Sequence, residues 1–253
     1  MLALRATGRP RIFGHRGAMG YAPENTMASF RKAVELGVDG IEFDVHLTAD
    51  DRVVVIHDSR LDRTTDGPGQ VREHTLEQIR ALDAGSHFGP EFAGERVPTL
   101  EEVLIWMRER CIVDIEVKGA PQPYPGIEEH VVELLAQHQM LDRSVVVSFD
   151  HPTIKRVKAL APSLATGVLY SCRPVDPVQL ARAADADALL PECSHCTAED
   201  VERAHAAGLS VHPWVTSEPS EIRKLIAMGV DSIASNHPDR VLAELGRRAP
   251  EPA

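Results

Sequence analysis

The sequence has little of what a membrane protein or a nucleic-acid-binding protein requires. No run approaches the roughly 18 consecutive apolar residues of a membrane-spanning helix, and the apolar start of the chain is too short for the hydrophobic region of a secretory signal. Basic residues are outnumbered, with 27 Lys and Arg against 38 Asp and Glu and a net charge of −11. Because neither a membrane span nor a secretory signal is indicated, we expect a cytoplasmic protein. An acidic surface repels nucleic acid and anionic lipid, so we expect its partner to be a small molecule. The sequence indicates no particular oligomeric state.

Cysteine is also scarce. The four cysteines are Cys111, Cys172, Cys193 and Cys196. The last two have the CxxC spacing of half a zinc site or of a redox dithiol, but no second CxxC or histidine pair at suitable spacing accompanies them. We therefore expect reduced thiols without a special role.

Strand-like and helix-like segments alternate along the whole chain, which predicts one domain with a parallel sheet covered by helices. The predicted strands are Arg11–His15, Gly40–Leu47, Arg52–His57, Cys111–Lys118, Ser144–Phe149, Thr166–Tyr170, Ala188–Pro191, Ser210–Trp214 and Asp231–Ser235. The predicted helices are Thr26–Leu36, Thr99–Glu109, Ile127–Gln137, Pro152–Leu160, Pro177–Ala184, Ala198–Ala207 and Glu218–Met228.

Nine strands are one too many for a (β/α)8 barrel, but the second and third are separated only by residues 48–51. A parallel crossover needs about a dozen residues, so the third strand should return antiparallel beside the second. Eight strands then remain for a TIM barrel spanning residues 1–253 as a single domain. An open doubly wound sheet is the alternative, which the absence of GxGxxG after the first strand disfavours.

The longest irregular region is 58–98, which contains many glycines and prolines and one helix-like segment, Thr75–Leu82. Loops of this length inside a compact domain are usually functional lids or small insertions. We expect a small insertion after the third strand, built from surface turns and without a core of its own.

Acidic side chains occupy one face of the second strand. In Gly40–Leu47, apolar residues alternate with Glu42, Asp44 and His46. Such alternation is ordinary on an exposed edge strand, but the interior of a parallel barrel should be mainly apolar. Two carboxylates inside a barrel repel one another unless a cation lies between them. We therefore predict a divalent metal ion, with Mg²⁺ or Ca²⁺ favoured by the oxygen ligands and Mn²⁺ also compatible with them.

The fourth predicted strand repeats the pattern, with Asp114, Glu116 and Lys118 on one face. Glu116 is a candidate third metal ligand. Lys118, at the carboxyl end of the strand, is a candidate contact for an anion. The alternative is an internal Glu–Lys ion pair without any ligand.

Histidines end two of the strands. The hairpin should bring His57 beside the carboxylates, and His15 and Arg16 follow the first strand. A single histidine at a strand end is more often structural, but two beside a metal-type cluster indicate catalysis. The set fits cleavage of a phosphodiester: the metal ion and Arg16 would neutralise the phosphoryl oxygens, while one imidazole accepts a proton and the other donates one.

The chain resembles the glycerophosphodiester phosphodiesterase family, a group of TIM-barrel enzymes. The matching motifs run in order through nearly the whole chain and include His15-Arg16-Gly17, Pro23-Glu24-Asn25-Thr26, Ile41-Glu42-Phe43-Asp44-Val45, His57-Asp58, Ile115-Glu116-Val117-Lys118, Ser148-Phe149-Asp150 and Gly229-Val230-Asp231. The resemblance implies metal-dependent hydrolysis of glycerophosphodiesters to sn-glycerol 3-phosphate and an alcohol. Action on lysophospholipids or other phosphodiesters is the alternative, and a barrel that only binds a phosphorylated ligand is a second.

The resemblance also implies a role for each matching residue. His15 and His57 would be the acid–base pair; Glu42, Asp44 and Glu116 the metal ligands; Arg16 and Lys118 the phosphate contacts; and Phe149 and Trp214 the aromatic contacts of the substrate. His46 and Asp58 would support this set, and Glu24 and Asn25 would fix the loop after the first strand.

Two segments depart from the family pattern, Val215-Thr216-Ser217 and Ser235-Asn236-His237. We expect them on the rim of the pocket, where they affect the choice of alcohol. Seven other histidines are expected at the surface or rim: His74, His130, His138, His151, His205, His212 and His237.

Overall fold

The computed structural model describes residues 2, 4–119 and 122–247, and the alternation of strands and helices closes there into a nearly complete barrel. The strands are β1 Arg11–His15, β2 Gly40–Leu47, β3 Val53–Val55, β4 Ile112–Val117, β5 Ser144–Ser148, β6 Ala165–Tyr170, β7 Ala188–Pro191, β8 Ser210–Val211 and β9 Ser232–Ser235. The α-helices are α1 Met27–Leu36, α2 Leu76–Arg80, α3 Leu100–Met107, α4 Ile127–Gln137, α5 His151–Leu160, α6 Pro177–Ala183, α7 Ala198–Ala206, α8 Pro219–Met228 and α9 Pro238–Glu244.

Eight strands run parallel in the order β8-β7-β6-β5-β4-β2-β1-β9, and the predicted TIM barrel is confirmed. β3 lies outside this path and pairs antiparallel with β2, with Val55 opposite Val45. The predicted hairpin is therefore present. Among the described residues, none of the helices combines the length and the apolar character that crossing a bilayer needs.

Threonine side chains cap the first turn of four of the described α-helices, and α1 and α3 are examples. Thr26 accepts a hydrogen bond from the Ser29 amide at the start of α1. Thr99 and Glu102 form a reciprocal capping box at the start of α3, as the sequence pattern indicates. These bonds satisfy amide groups that the first turn of a helix leaves without partners.

α9 was not predicted, and β8 is shorter than predicted. α9 has only seven residues, too few for a clear helical period, and it begins with Pro238 at its first turn. β8 ends at Val211, whereas the prediction extended it to Trp214. Beyond Val211, isolated hydrogen bonds join the chain to β7. One of them runs from the Trp214 amide to the Pro191 carbonyl oxygen, over 3.0 Å.

The insertion has a small apolar core, contrary to the expectation of surface turns alone. Its turns do lie at the surface, and α2 accounts for its one helix-like segment. Seven buried side chains nevertheless pack together beneath them, two of which come from the end of the β2–β3 hairpin: Val54, Ile56, Leu61, Val71, Ile79, Ala84 and Val97. Because this core includes β3, the insertion and the end of the hairpin are held together.

Asp231 links β8 and β9, the first and last strands in the order around the barrel. Its Oδ2 accepts hydrogen bonds from the Val211 amide at 2.8 Å and the His205 ring at 2.9 Å. Its Oδ1 accepts from the Ala6 amide at 2.9 Å and forms an ion pair with Arg5 at 3.2 Å. The side chain is buried, so it closes the seam between β8 and β9 with bonds that are shielded from water.

We expect Asp231→Ala to lower the free energy of unfolding by about 2–3 kcal/mol, because buried amide groups lose their acceptor. Urea denaturation checks this, with the exposed Asp142→Ala as the control variant. Equal stability of the two variants would contradict the role given to Asp231.

Candidate active site

Carboxyl groups from β2 and β4 meet at one point inside the barrel. The strands pair so that Asp44 lies opposite Glu116 and Glu42 lies opposite Asp114. One oxygen from each of Glu42, Asp44 and Glu116 lies within 4.8 Å of the others, and all three residues are buried. The structure thus brings the three predicted metal ligands together.

The surroundings give these carboxyl groups unequal pKa values. Burial, reinforced by the neighbouring carboxylates, raises the pKa of Glu42 well above its usual range. Burial also raises the pKa of Glu116 to about 7, although Lys118 opposes this. Burial would raise the pKa of Asp44 as well, but Lys118 and Arg16 outweigh it and lower that pKa. If all of these carboxyl groups were ionised, their negative charge would exceed what Lys118 and Arg16 neutralise, and the raised pKa values of Glu42 and Glu116 reflect this repulsion.

Asp114 lies opposite Glu42 on the same face of β4 as Glu116 and was not among the predicted metal ligands. Burial raises its pKa to about 8, with Glu116 and Asp44 adding to the effect. Its Oδ1 atom is buried without a hydrogen-bond partner. A buried polar atom of this kind is costly unless something satisfies it.

A divalent cation fits this site. The donor atoms are carboxylate oxygens, which Mg²⁺ and Ca²⁺ prefer, and a positive charge between them would relieve their repulsion. Lys118 supplies part of that charge, with its Nζ 2.9 Å from Asp44 Oδ1 and in contact with Glu116 Oε1. The internal Glu–Lys ion pair considered above is therefore present, alongside carboxylates that it does not neutralise.

His15 ends β1 with its ring beside Glu42. Its Nε2 lies 3.8 Å from Glu42 Oε2, and its Nδ1 lies 2.6 Å from Asn236 Oδ1. Since a carbonyl oxygen only accepts, Nδ1 carries the hydrogen and Nε2 faces the site. Burial lowers the pKa of His15 to about 4, with Arg16 adding to the effect. The ring is thus neutral at pH 7.

His57 follows β3 and is oriented by its neighbour. Its Nδ1 lies 2.6 Å from Asp58 Oδ1. The hydrogen bond from Arg63 lowers the pKa of Asp58 below its usual range, so this carboxylate accepts the hydrogen of Nδ1. Burial lowers the pKa of His57, while Asp44 and Asp58 oppose the shift. His46 helps to hold the backbone of His57 in place, since its Nε2 lies 2.9 Å from the His57 carbonyl oxygen.

Arg16 anchors the loop after β1. Its amide donates to Glu42 at 3.0 Å, and its guanidinium contacts Glu24 at 2.8 Å and Asp44 at 3.4 Å. Asn25 donates to Asp44 at 2.9 Å, so it binds a predicted metal ligand directly as well as shaping the loop. A Cβ at Gly17 would collide with Ser29, which explains the glycine of this motif.

Arg63 ties the insertion to the barrel. It forms a two-point contact with Glu24 at 2.7 and 2.8 Å, and a second with Asp58 at 2.7 and 3.0 Å. These contacts connect the loop that holds Arg16 with the carboxylate that orients His57. The bridge between Arg63 and Glu24 joins residues 39 positions apart and was not predicted from the sequence.

The two predicted aromatic contacts lie together. The rings of Phe149 and Trp214 are 5.4 Å apart, edge to face, and Phe149 is 40% exposed. Trp214 lines a small cavity that also contains His15, Glu42 and Glu116. Trp214 therefore lies at the edge of the acidic cluster, and Phe149 packs against it.

His212 was wrongly expected at the surface or rim. It is buried inside the barrel, in the same cavity as Glu42, and its ring nitrogens contact Ser232 Oγ at 2.7 Å and Ser210 Oγ at 2.8 Å. Ser210 and His212 are two residues apart on the predicted strand, so their side chains share one face. This spacing was the sequence signal that both side chains point into the barrel.

A parallel barrel with acidic and basic side chains at the carboxyl ends of its strands has the architecture of TIM-barrel enzymes, whose active sites lie on that face. Residues 15–240 match the model of the Glycerophosphoryl diester phosphodiesterase family. The chain therefore belongs to this family.

Named relatives cover nearly the whole chain. It is 41% identical over 232 residues to a glycerophosphodiester phosphodiesterase of Caldanaerobacter subterraneus subsp. tengcongensis, covering 91% of this chain and 96% of that one. A phosphodiesterase of Oleispira antarctica, solved in complex with the product sn-glycerol-3-phosphate, matches with a TM-score of 0.87 and 32% identity, covering 94% of this chain and 97% of that one. A glycerophosphodiester phosphodiesterase of Agrobacterium tumefaciens matches with a TM-score of 0.83 and 30% identity, covering 92% and 99%.

Removing the Arg63 bridge should loosen the insertion. We expect Arg63→Met to speed amide hydrogen exchange in residues 59–70 by roughly fivefold, the size of effect typical of partly exposed ion pairs. Arg60→Met is the matched control, since Arg60 pairs with Asp62 in its own loop. Equal exchange in the two variants would show that Arg63 does not hold the insertion.

Proposed function

We propose that the protein hydrolyses glycerophosphodiesters to sn-glycerol 3-phosphate and an alcohol, with a divalent metal ion held by Glu42, Asp44 and Glu116. The observation that carries the proposal is the convergence of three buried carboxylate oxygens within 4.8 Å, between two histidines whose rings are each fixed by a second residue. The family, and a relative solved with sn-glycerol-3-phosphate, support the same substrate class.

The cationic side chains would bind the phosphoryl group. A bound divalent ion supplies Lewis-acid stabilisation of the negative charge on the phosphoryl oxygens. Arg16 and Lys118 reach the same region from β1 and β4, and would contact the non-bridging oxygens. Phe149 and Trp214 would contact the glycerol carbons at the edge of the site.

The two histidines would divide the proton transfers. The neutral ring of His15 presents an unprotonated Nε2, which suits it to accept a proton from the attacking hydroxyl or water. The carboxylate of Asp58 stabilises the positive charge of a protonated His57, which suits His57 to donate a proton to the departing alkoxide. Asn236 and Asp58 would keep the reactive nitrogens directed at the attacking and leaving oxygens.

Incubation of the protein with glycerophosphocholine, glycerophosphoethanolamine or glycerophosphoinositol should release sn-glycerol 3-phosphate when Mg²⁺, Ca²⁺ or Mn²⁺ is present. We expect His15→Ala and His57→Ala each to lower kcat by about 10²–10⁴, the usual contribution of general acid–base catalysis. A coupled assay for glycerol 3-phosphate measures this, with His130→Ala as the control. No release from any of the three diesters, with each ion tested, would refute the proposal.

Metal affinity should rise with pH, because the ligands must lose their protons before they bind a cation. Glu116, with a pKa of about 7, is mostly protonated at pH 6 and mostly ionised at pH 8. We therefore expect affinity to increase about tenfold across this range from that group alone, with protons released on binding. Calorimetry in two buffers of different ionisation enthalpy measures both the affinity and the number of protons released. Glu116→Gln should bind the ion more weakly and lose the part of this slope that Glu116 contributes, while Glu42, whose pKa is also raised, keeps the rest. Binding independent of pH in the unaltered protein would argue against these ligands.

A further inference from the structure

A second cavity lies beside His57 and shares His57, Asp58 and Lys118 with the proposed reaction centre. Its volume is about 550 Å³, within the range of small-molecule sites. The walls come from the end of β3, the first turns of the insertion and the segment after β4. Side chains important for its chemistry are His57, Lys118, Arg72 and Tyr124.

This cavity adjoins the proposed reaction centre. Lys118 lines it and also forms ion pairs with Asp44 and Glu116. The cavity with Trp214 contains His15, whereas this one contains His57. In an in-line displacement at phosphorus, the attacking and leaving oxygens lie on opposite sides. If His15 activates the nucleophile, the alcohol that leaves past His57 enters the second cavity.

Arg72 dominates the charge of the cavity wall. Its guanidinium lies 4.2 Å from the centre of the Tyr124 ring, and it donates a hydrogen bond to the Gln122 carbonyl at 2.7 Å. No described carboxylate forms an ion pair with it. The other charged groups of the wall are neutralised locally: Arg60 by Asp62, Asp58 by Arg63, and Lys118 by the carboxylate cluster.

The same contact disfavours a cationic alcohol. An aromatic ring such as Tyr124 could bind a quaternary ammonium group by cation–π attraction, but a guanidinium already covers its face. Arg72 would also repel the positive charge. Its remaining N–H groups are donors, which suit hydroxyl, carboxylate or phosphate oxygens.

We propose that this cavity is the alcohol subsite and that Arg72 makes it select an alcohol rich in hydroxyl or anionic groups over a cationic amino alcohol. The inference rests on the proposed function and adds the class of leaving alcohol to it. Glycerophosphoinositol and glycerophosphocholine represent the two classes.

The test is the ratio of kcat/KM for glycerophosphoinositol to that for glycerophosphocholine. We expect a ratio above one in the unaltered protein, falling roughly threefold to tenfold in Arg72→Gln as inositol turnover drops and choline turnover rises. Arg72→Lys, which keeps the positive charge, should retain most of the preference. Arg52→Gln is the matched control because Arg52 lines a different depression, and it should leave the ratio unchanged.

The outcomes separate the inference from the proposed function. If neither diester is hydrolysed, the proposed function is refuted, and so is the subsite that rests on it. Turnover with a preference for the choline diester overturns the inference alone, as does a preference for inositol that persists in an Arg72→Gln variant with an unchanged melting curve.

Discussion

Repulsion between carboxylates on two adjacent strands is the constraint on which the site depends. Glu42 and Asp44 on β2 face Asp114 and Glu116 on β4, all inside the barrel. Two unit charges about 4 Å apart repel by about 4 kcal/mol at an effective dielectric constant near 20, and the cluster contains several such pairs. Because whole domains are stable by only about 5–15 kcal/mol, these groups cannot all remain charged without compensation. Lys118 and Arg16 supply part of it, and protons or a metal ion must supply the rest.

The outer faces of the same strands provide the framework that tolerates this repulsion. Phe43 packs against Phe30 of α1, with ring centres 5.6 Å apart, and the apolar residues that alternate with the carboxylates belong to the large core between barrel and helices. A strand therefore has one face that stabilises the fold and another that binds charge. Since a slip of one residue would exchange the two faces, the buried apolar face fixes which side chains point into the site.

The parts of the site that were predictable from sequence are those set by local patterns. Alternation identified Glu42, Asp44 and Glu116, and the four-residue connection identified the hairpin that brings His57 to them. Apart from the contact between the neighbours His57 and Asp58, the contacts that orient these groups were not predictable, because they join distant parts of the chain. Asn236 reaches His15 across 221 residues. Arg63 reaches Glu24 across 39, and neither pairing leaves a periodic trace in the sequence.

The antiparallel strand β3 adds something that eight parallel strands alone do not provide. In a plain barrel, each strand contributes its carboxyl end once and then leaves through a helix. Here the chain turns back beside β2, so that Ile56 donates its amide to the Asp44 carbonyl at 3.0 Å, and His57 follows next to the carboxylates. The turn also starts the insertion at the edge of the site, with a core that includes β3. One local reversal thus brings an imidazole to the cluster and builds a wall of the second cavity, which explains why the two features occur together.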